Sequence, residues 1–532
     1  MRYLIGLLFF LTTAISIAQQ EFHVFPLDGE TTKGTSKGDG SPQNPWDLQT
    51  ALSQSSDKVN GGDIIWIHNG IYTGHFKSLL HSTISNKYIT VSAYKNDRVI
   101  LNGNTDGNEY YTLEVNGNNV IYKNFEITYL GDFSRLKSDE NFKLGTGIHH
   151  VKGTNCKFQN LIIHNIPGTA FGSWKATGGT VIEDCIIYNN GYQATRGHGV
   201  GMYVQNKSDD IRLIRNNIIF NNYYKGIEVW SASSGHKFEF VKNINIVDNI
   251  FFNNGNPSGI PRDNVIIATD DSEGTNIAKN IKVKRNVFYH NIDFKDLKNY
   301  GFGTGLAIGY NRKALVENIE ISDNIILGRN NPLNIMHVKS LEFKNNLVYG
   351  GYVNLSKSSL PALKSGLLNL ENNLYHTRKA ATFRIIKGKK YNLNVWQKTF
   401  NVDRNSQSKV YKDFEINPVL KVQKLITNPN HFNIALLEKS GNDVTVDFGE
   451  FDIEEGAIFK IYDIENRKVV VNSGKVSSDL KIKFPMGLQQ FELPLHNTIA
   501  TKSVDNFGVY RIEFENKKRR KNFFGRFFDW LF

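Results

Sequence analysis

The chain has 532 residues, 40% of them hydrophobic and 21% charged, with a formal charge of +12. That balance excludes wholesale disorder and a polytopic membrane protein, and the length is ample for a large core in more than one domain. Two cysteines exclude a disulfide scaffold, and twelve prolines against 45 glycines exclude a collagen-like chain.

Residues 1–18 open on Arg2, run through an apolar stretch from Leu4 to Ile17, and carry the small residues Ser16 and Ala18 before Gln19. A basic start, a short apolar run and small residues at −3 and −1 describe a secretory signal peptide, so export is expected, to the periplasm, the outer membrane or the medium. At the other end, the basic aromatic tail 517–532 carries six positive side chains against Asp529 and therefore holds +5 of the total charge. A helix there would put Phe523, Phe524, Phe527, Phe528 and Leu531 on one face, which suits either peripheral contact with an anionic membrane or docking on the protein itself. The remaining body is mildly basic, a property compatible with an anionic ligand. Nucleic acid is a poor partner for an exported chain.

Between the ends one short pattern recurs: Asn or Asp, two apolar residues, an aromatic or similar residue, then often Asn. Examples are Asn160-Leu161-Ile162-Ile163-His164-Asn165, Asp184-Cys185-Ile186-Ile187-Tyr188-Asn189 and Asn217-Ile218-Ile219-Phe220-Asn221. Equivalent positions fall at 162, 186, 218, 250, 287, 325, 347 and 374. The shortest steps, of 22 to 24 residues with variable excess, are what a coil of three short parallel strands and three turns requires, with extra residues bulging out as loops. Asn and Gly break every candidate helix. Stacked coils would ladder Asn165, Asn189, Asn221 and Asn253 at one turn, and His164, Tyr188, Phe220, Phe252 and Tyr289 beside it. Aligning Ile162 with Ile186 leaves Cys156 and Cys185 five residues out of level, too far for a bridge.

With Gly38-Asp39-Gly40-Ser41-Pro42-Gln43-Asn44-Pro45-Trp46 and the Gly62–Tyr72 strand at the start, and Val395-Trp396-Gln397 with Asp403 and Ser406 at the end, the chain resembles the right-handed parallel β-helix superfamily typified by pectate lyases. The resemblance covers roughly residues 22–415 and implies an all-β, right-handed parallel β-helix (a solenoid) in a secreted protein that acts on polysaccharide. It specifies no reaction, because this architecture hosts many chemistries. Residues 416–516 lose the repeat and read as a small C-terminal β-sandwich of alternating strands such as Ile458–Asp463.

A second strand follows each repeat: Ile148, Phe171, Val200, Ile227, Val265 and Leu306 are expected to point inward and their successors outward. Trp174, Tyr203 and Trp230 then stack outward beside bare Gly172 and Gly201, the aromatic trough a sugar ring needs. His149 and Asp270 lie at the ends of the same face and are expected to contact substrate. The catalytic candidates are Arg196 and His198 before the Val200 strand, Lys225 before the next, and Glu228 on it. In β-elimination Lys225 or His198 would be the base, Arg196 the neutraliser of a uronate and Tyr203 the acid. In glycoside hydrolysis Glu228 would pair with Asp270 or Asp271. The expected partner is thus an acidic polysaccharide or oligosaccharide bound by a monomer. The sequence specifies no cofactor, and Asp270-Asp271 would suit a structural Ca²⁺. The competing reading is a non-catalytic glycan-binding or structural module.

Overall fold

A computed structural model describes residues 19–107, 109–193, 199–232, 235–292, 303–378 and 381–515. The expectations for segments 1–18 and 517–532, and for Arg196 and His198, lie outside the described residues.

Three parallel sheets of twelve strands each wind around one interior, each strand pairing with its counterpart one coil away. Strand Glu21–Val24 begins the first sheet and Gln407–Val410 ends the second. The repeat register is the one read from the sequence: Ile162, Ile186, Ile218, Ile250, Val287, Ile325, Leu347 and Leu374 stand in one column of the second sheet. Residues one further along, Ile163, Ile187, Ile219, Phe251, Phe288, Ile326 and Val348, fill the interior.

The recurring asparagines divide two tasks between adjacent positions. Asn160, Asp184, Asn216 and Asp248 before each strand of the second sheet, and Asn165, Asn189, Asn221 and Asn253 after it, have φ between 48° and 63°. Asn and Asp enter this left-handed region at the least cost after Gly, so they turn the chain at both corners of the sheet. The expected amide ladder through Asn165, Asn189, Asn221 and Asn253 is therefore displaced by one residue. Asn190 donates to Asn222 at 2.9 Å, Asn222 to Asn254 at 2.9 Å and Asn254 to Asn264 at 2.8 Å. A longer ladder runs at the opposite corner through Asn217, Asn249, Asn286, Asn324, Asn346 and Asn373, with successive amide contacts of 2.9–3.2 Å. Each of these amides also bonds main chain, which is how a buried polar column avoids unpaired groups.

Both ends are closed. Helix Leu48–Leu52, capped by Asp47, covers the first coil beside Trp46, which stacks on Phe22 at 4.8 Å. Helix Leu393–Phe400 covers the last coil with Trp396, which stacks on Phe383 at 4.3 Å. There Ser406 Oγ accepts the Asn373 backbone N–H at 2.7 Å, taking the place that the next asparagine oxygen holds in the coils above. Ser406 and Tyr375 donate to Asp403, and burial lifts its carboxyl to about 6 from 3.8. The folded chain thus holds this proton more tightly than the unfolded one. Its stabilisation is complete below 3.8 and is lost as pH rises through about 6, by about 3 kcal/mol at most. Asp403→Asn should flatten that part of the plot of unfolding free energy against pH; an unchanged slope would show that the carboxyl is hydrated.

The C-terminal residues form a five-stranded and a two-stranded antiparallel sheet around a core of Phe432, Phe448, Phe459, Phe484 and Phe514. This sandwich lies on the second sheet's outer face. The aromatic ladder stacks from His164 to Tyr188, Phe220 and Phe252 at 4.5–5.0 Å, while Tyr289 stacks on Phe507 of the sandwich at 3.7 Å. Both cysteines are buried free thiols.

Candidate functional site

Of the three outer walls, one is covered and one is a field of paired charges. The second sheet is covered by the sandwich. The first presents charges paired from coil to coil, such as Arg215–Glu183 at 2.7 Å and Lys282–Glu320 at 3.5 Å. The third sheet carries aromatic and polar side chains on an open wall, and there the candidates gather.

Strand pairing places Lys77, Glu114, His149, Gly172, Tyr203, Glu228, Ile266, Ala307, Asn334, Asn354 and Arg384 in one outward column. The expected register slips at one place: Phe171 pairs with Met202, not Val200. A two-residue slip keeps the faces, so Tyr203 still points outward, but it stands beside Gly172, one column away from Trp174 and Trp230. The rings still meet, Trp174 and Tyr203 at 5.2 Å between centroids. Gly201 is not bare wall: a Cβ there would lie 2.6 Å from the Gly226 carbonyl oxygen and 2.9 Å from Ile219. Gly172 is roofed by the Trp174 indole, 2.9 Å from where its Cβ would be.

Lys225 and Glu228 form a buried ion pair at 3.1 Å, and Asp263 approaches the same ammonium at 3.8 Å. Asp263 precedes Val265 as Lys225 precedes Ile227, so the register makes them neighbours. Burial disfavours the Lys225 charge, but Glu228 and Asp263 outweigh it and raise the pKa above the ordinary lysine value. Burial raises the Asp263 carboxyl, and Lys225 only partly offsets this. Both carboxylates reach one nitrogen, so they stand at most about 7 Å apart. The carboxylate brought beside Glu228 is thus Asp263 rather than Asp270 or Asp271. Asp270 lies four residues along from Ile266, roughly 13 Å from the Glu228 level, and accepts from Asn311 at 2.9 Å. Asp271 is buried and capped by the amides of Glu273 and Asn276 at 2.8 and 2.7 Å. Among the described residues no group of three or more His, Cys, Asp or Glu could hold a metal ion.

Two further groups flank this centre. Toward the start, Lys77 pairs with Glu114 at 2.9 Å, Glu114 lies 3.6 Å from His149, and Tyr110 OH meets His149 Nε2 at 3.3 Å. Burial lowers the His149 pKa against the pull of Glu114, so the ring is neutral at pH 7. Toward the end a cleft of about 300 Å³ is lined by Lys225, Asp263, Ile266, Tyr310, Asn334 and Arg384 among others. Tyr310, 55% exposed, meets the edge of Trp230 at 5.0 Å. Sequence reasoning missed Asp263, Asn334, Asn354 and Arg384. The last three were findable, because each is a polar residue between two apolar ones on a short strand, the pattern already used for Glu228.

A family model described as the right-handed beta helix region matches residues 69–251. No curated protein matches by sequence. Among solved structures the chain is similar to pectate lyase Pel9A, at 16% identity and TM-score 0.42 over 71% of this chain and 80% of that one. It is also similar to an alginate lyase from Paenibacillus sp. str. FPU-7 (16%, 0.35, over 69% and 98%) and to the A-module of the Azotobacter vinelandii mannuronan C-5 epimerase AlgE4 (11%, 0.42, over 70% and 92%). The coil of three parallel sheets and the matched family model define the class, a parallel β-helix protein. The right-handed beta helix model matches about a third of the chain, residues 69–251, and a C-terminal antiparallel sandwich follows the coil.

Proposed function

We propose that this is an exported, polysaccharide-active enzyme that lays an acidic glycan along the outer wall of the third sheet and cleaves it beside Lys225, Glu228 and Asp263. The observation that carries this reading is the coincidence, on the outer wall of the third sheet, of Trp174, Tyr203, Trp230 and Tyr310 with two carboxylates of unlike environment about one fixed ammonium. Aromatic faces accept the C–H groups of sugar rings, and the carboxylates supply an acid and a base. Asp263, which holds its proton to higher pH, is the acid; Glu228 is the nucleophile or base. Lys225 is locked as an ammonium, so it fits a role in holding charge rather than removing a proton.

Elimination is the second reading, favoured by neutral His149 beside Tyr110 and close to Lys77, a base with a cation within reach. The deciding experiment incubates the purified protein with acidic and neutral glycans and follows ultraviolet absorbance together with reducing ends. Reducing ends alone indicate hydrolysis by the Glu228–Asp263 pair. Unsaturated product indicates elimination. Binding without either product identifies a non-catalytic module and overturns the reading. The signal-peptide pattern of residues 1–18 supports a place outside the cytoplasm, and the tail 517–532 would hold the protein near an anionic membrane.

Trp230→Ala should weaken glycan binding by about 1–2 kcal/mol, read by calorimetry, beyond the stability it loses through its packing on Ile266, Ala268 and Ala307. Unaltered affinity would remove Trp230 from the track.

A further inference from the structure

The far end of this wall carries cations held by asparagine oxygens and an aromatic ring. Arg384 donates from Nε to Asn354 Oδ1 at 2.8 Å and from Nη2 to Asn331 Oδ1 at 3.2 Å. Arg378 donates from Nη2 to Asn330 Oδ1 at 3.2 Å. Both guanidinium carbons lie 5.1 Å from the ring centre of Tyr352, and Lys390 Nζ lies 5.3 Å from it. Adjacent asparagines of one loop thus hold two arginine forks over one buried ring. The asparagine oxygens orient the Arg384 guanidinium without opposing its charge, unlike the carboxylates that meet Arg215 and Arg285 elsewhere. Among the described residues no carboxylate lies within ion-pair distance of Arg384 or Lys390. Arg384 lines the cleft that also holds Lys225, and Asn354 donates onward to Asn334 at 2.8 Å, so oriented polar groups lead toward the proposed cleavage point.

We infer that Arg384, with Lys390 beside it at Tyr352, forms a subsite for an oxyanion carried on the bound glycan, a uronate carboxylate or a sulfate ester. A planar fork whose position is already set loses little entropy on gripping such a group, and a charge-assisted pair is about twice as strong as a neutral hydrogen bond. Five strand spacings separate the Glu228 level from Arg384, roughly 24 Å, so this site acts in binding and not on the reacting bond. The inference deepens the glycan reading above and rests on it for the ligand's identity.

The test is affinity electrophoresis of the full-length protein through gels containing polygalacturonate, dextran sulfate or neutral dextran, with Arg384→Gln and Lys390→Gln compared with the parent. The parent should be retarded by a polyanion, and whichever one retards it tells carboxylate from sulfate. Arg384→Gln should weaken that retention about tenfold or more, with mobility in neutral dextran unchanged. Lys390→Gln, at an exposed side chain, should give a smaller loss in the same direction and covers the case in which the arginine variant fails to fold. A parent that ignores both polyanions, or variants retained as strongly as the parent, would overturn the subsite. These results are separable from the cleavage assay. Cleavage that persists with equal retention of all forms removes the subsite alone. Lost retention in a protein that cleaves nothing removes the enzyme reading and leaves the subsite.

Discussion

Glu228→Gln should lower cleavage of whichever glycan the panel identifies by roughly 10²- to 10⁴-fold in kcat, the usual worth of a positioned acid or base. The substitution keeps the shape of the side chain and its acceptor oxygen toward Lys225, and Asp263 still faces that ammonium at 3.8 Å. Thermal unfolding should therefore change little, and glycan affinity should stay within a few fold, because the aromatic contacts are untouched. Asp263→Asn should act differently. If Asp263 is the acid, activity in the parent falls as pH rises through its raised pKa, since the proton needed by the leaving oxygen is then lost. Asp263→Asn should remove that alkaline limb along with most of the rate. Full activity in Glu228→Gln, measured as reducing ends, would reduce the trio to a structural ion pair and leave His149 as the residue to test.

The coil was legible because its signal is redundant. Eight copies of an apolar pair, spaced by no fewer than 22 residues, leave one register that puts every Ile162-like residue in a column, and the strands obey it from Ile162 to Leu374. The wall was legible only in part. Period two fixes which face a residue takes but not its height, so Tyr203 faced outward as expected while its pairing slipped two residues along. The amide ladder was misplaced by one because sequence alone does not tell an asparagine chosen for positive φ from one chosen for its amide; Asn189 and Asn190 look alike until the backbone is known. Asp263 was invisible for a different reason. Its partner Lys225 lies 38 residues earlier, and only the stacking of Ile227 on Val265 brings them level. The expected pair with Asp270 or Asp271 overlooked the backbone amides that consume Asp271.

Arg212 was not singled out by any pattern, yet its replacement should produce the largest loss of stability. Its side chain is fully buried at the corner beneath Trp174. It donates to the carbonyls of Ser173 at 3.0 Å and Trp174 at 3.3 Å, and to those of Thr177 and Gln205 and the Thr177 hydroxyl. Burial presses its pKa down, and among the described residues no carboxylate pairs with it. Two terms compete in Arg212→Met. Removing an unpaired charge from the interior is favourable, but five hydrogen bonds from a charged donor are lost, each worth about 1.5–3 kcal/mol, even though Ser173, Trp174 and Thr177 keep other donors in the Gln205 N–H, the Thr177 hydroxyl and the Thr180 hydroxyl. The second term wins, because an apolar chain of similar length also shuts out the water that could replace the guanidinium. The expected loss is about 3–5 kcal/mol by denaturant unfolding. Arg212→Lys should fall between, since one ammonium has three donors and no planar fork. The same carbonyls set the turn that aims Trp174 and the strand that presents Gln205. Under conditions where Arg212→Lys remains folded, glycan affinity should therefore drop toward that of a Trp174→Ala protein. If Arg212→Met matches the parent in stability, water has taken over the carbonyls and the corner does not depend on the arginine.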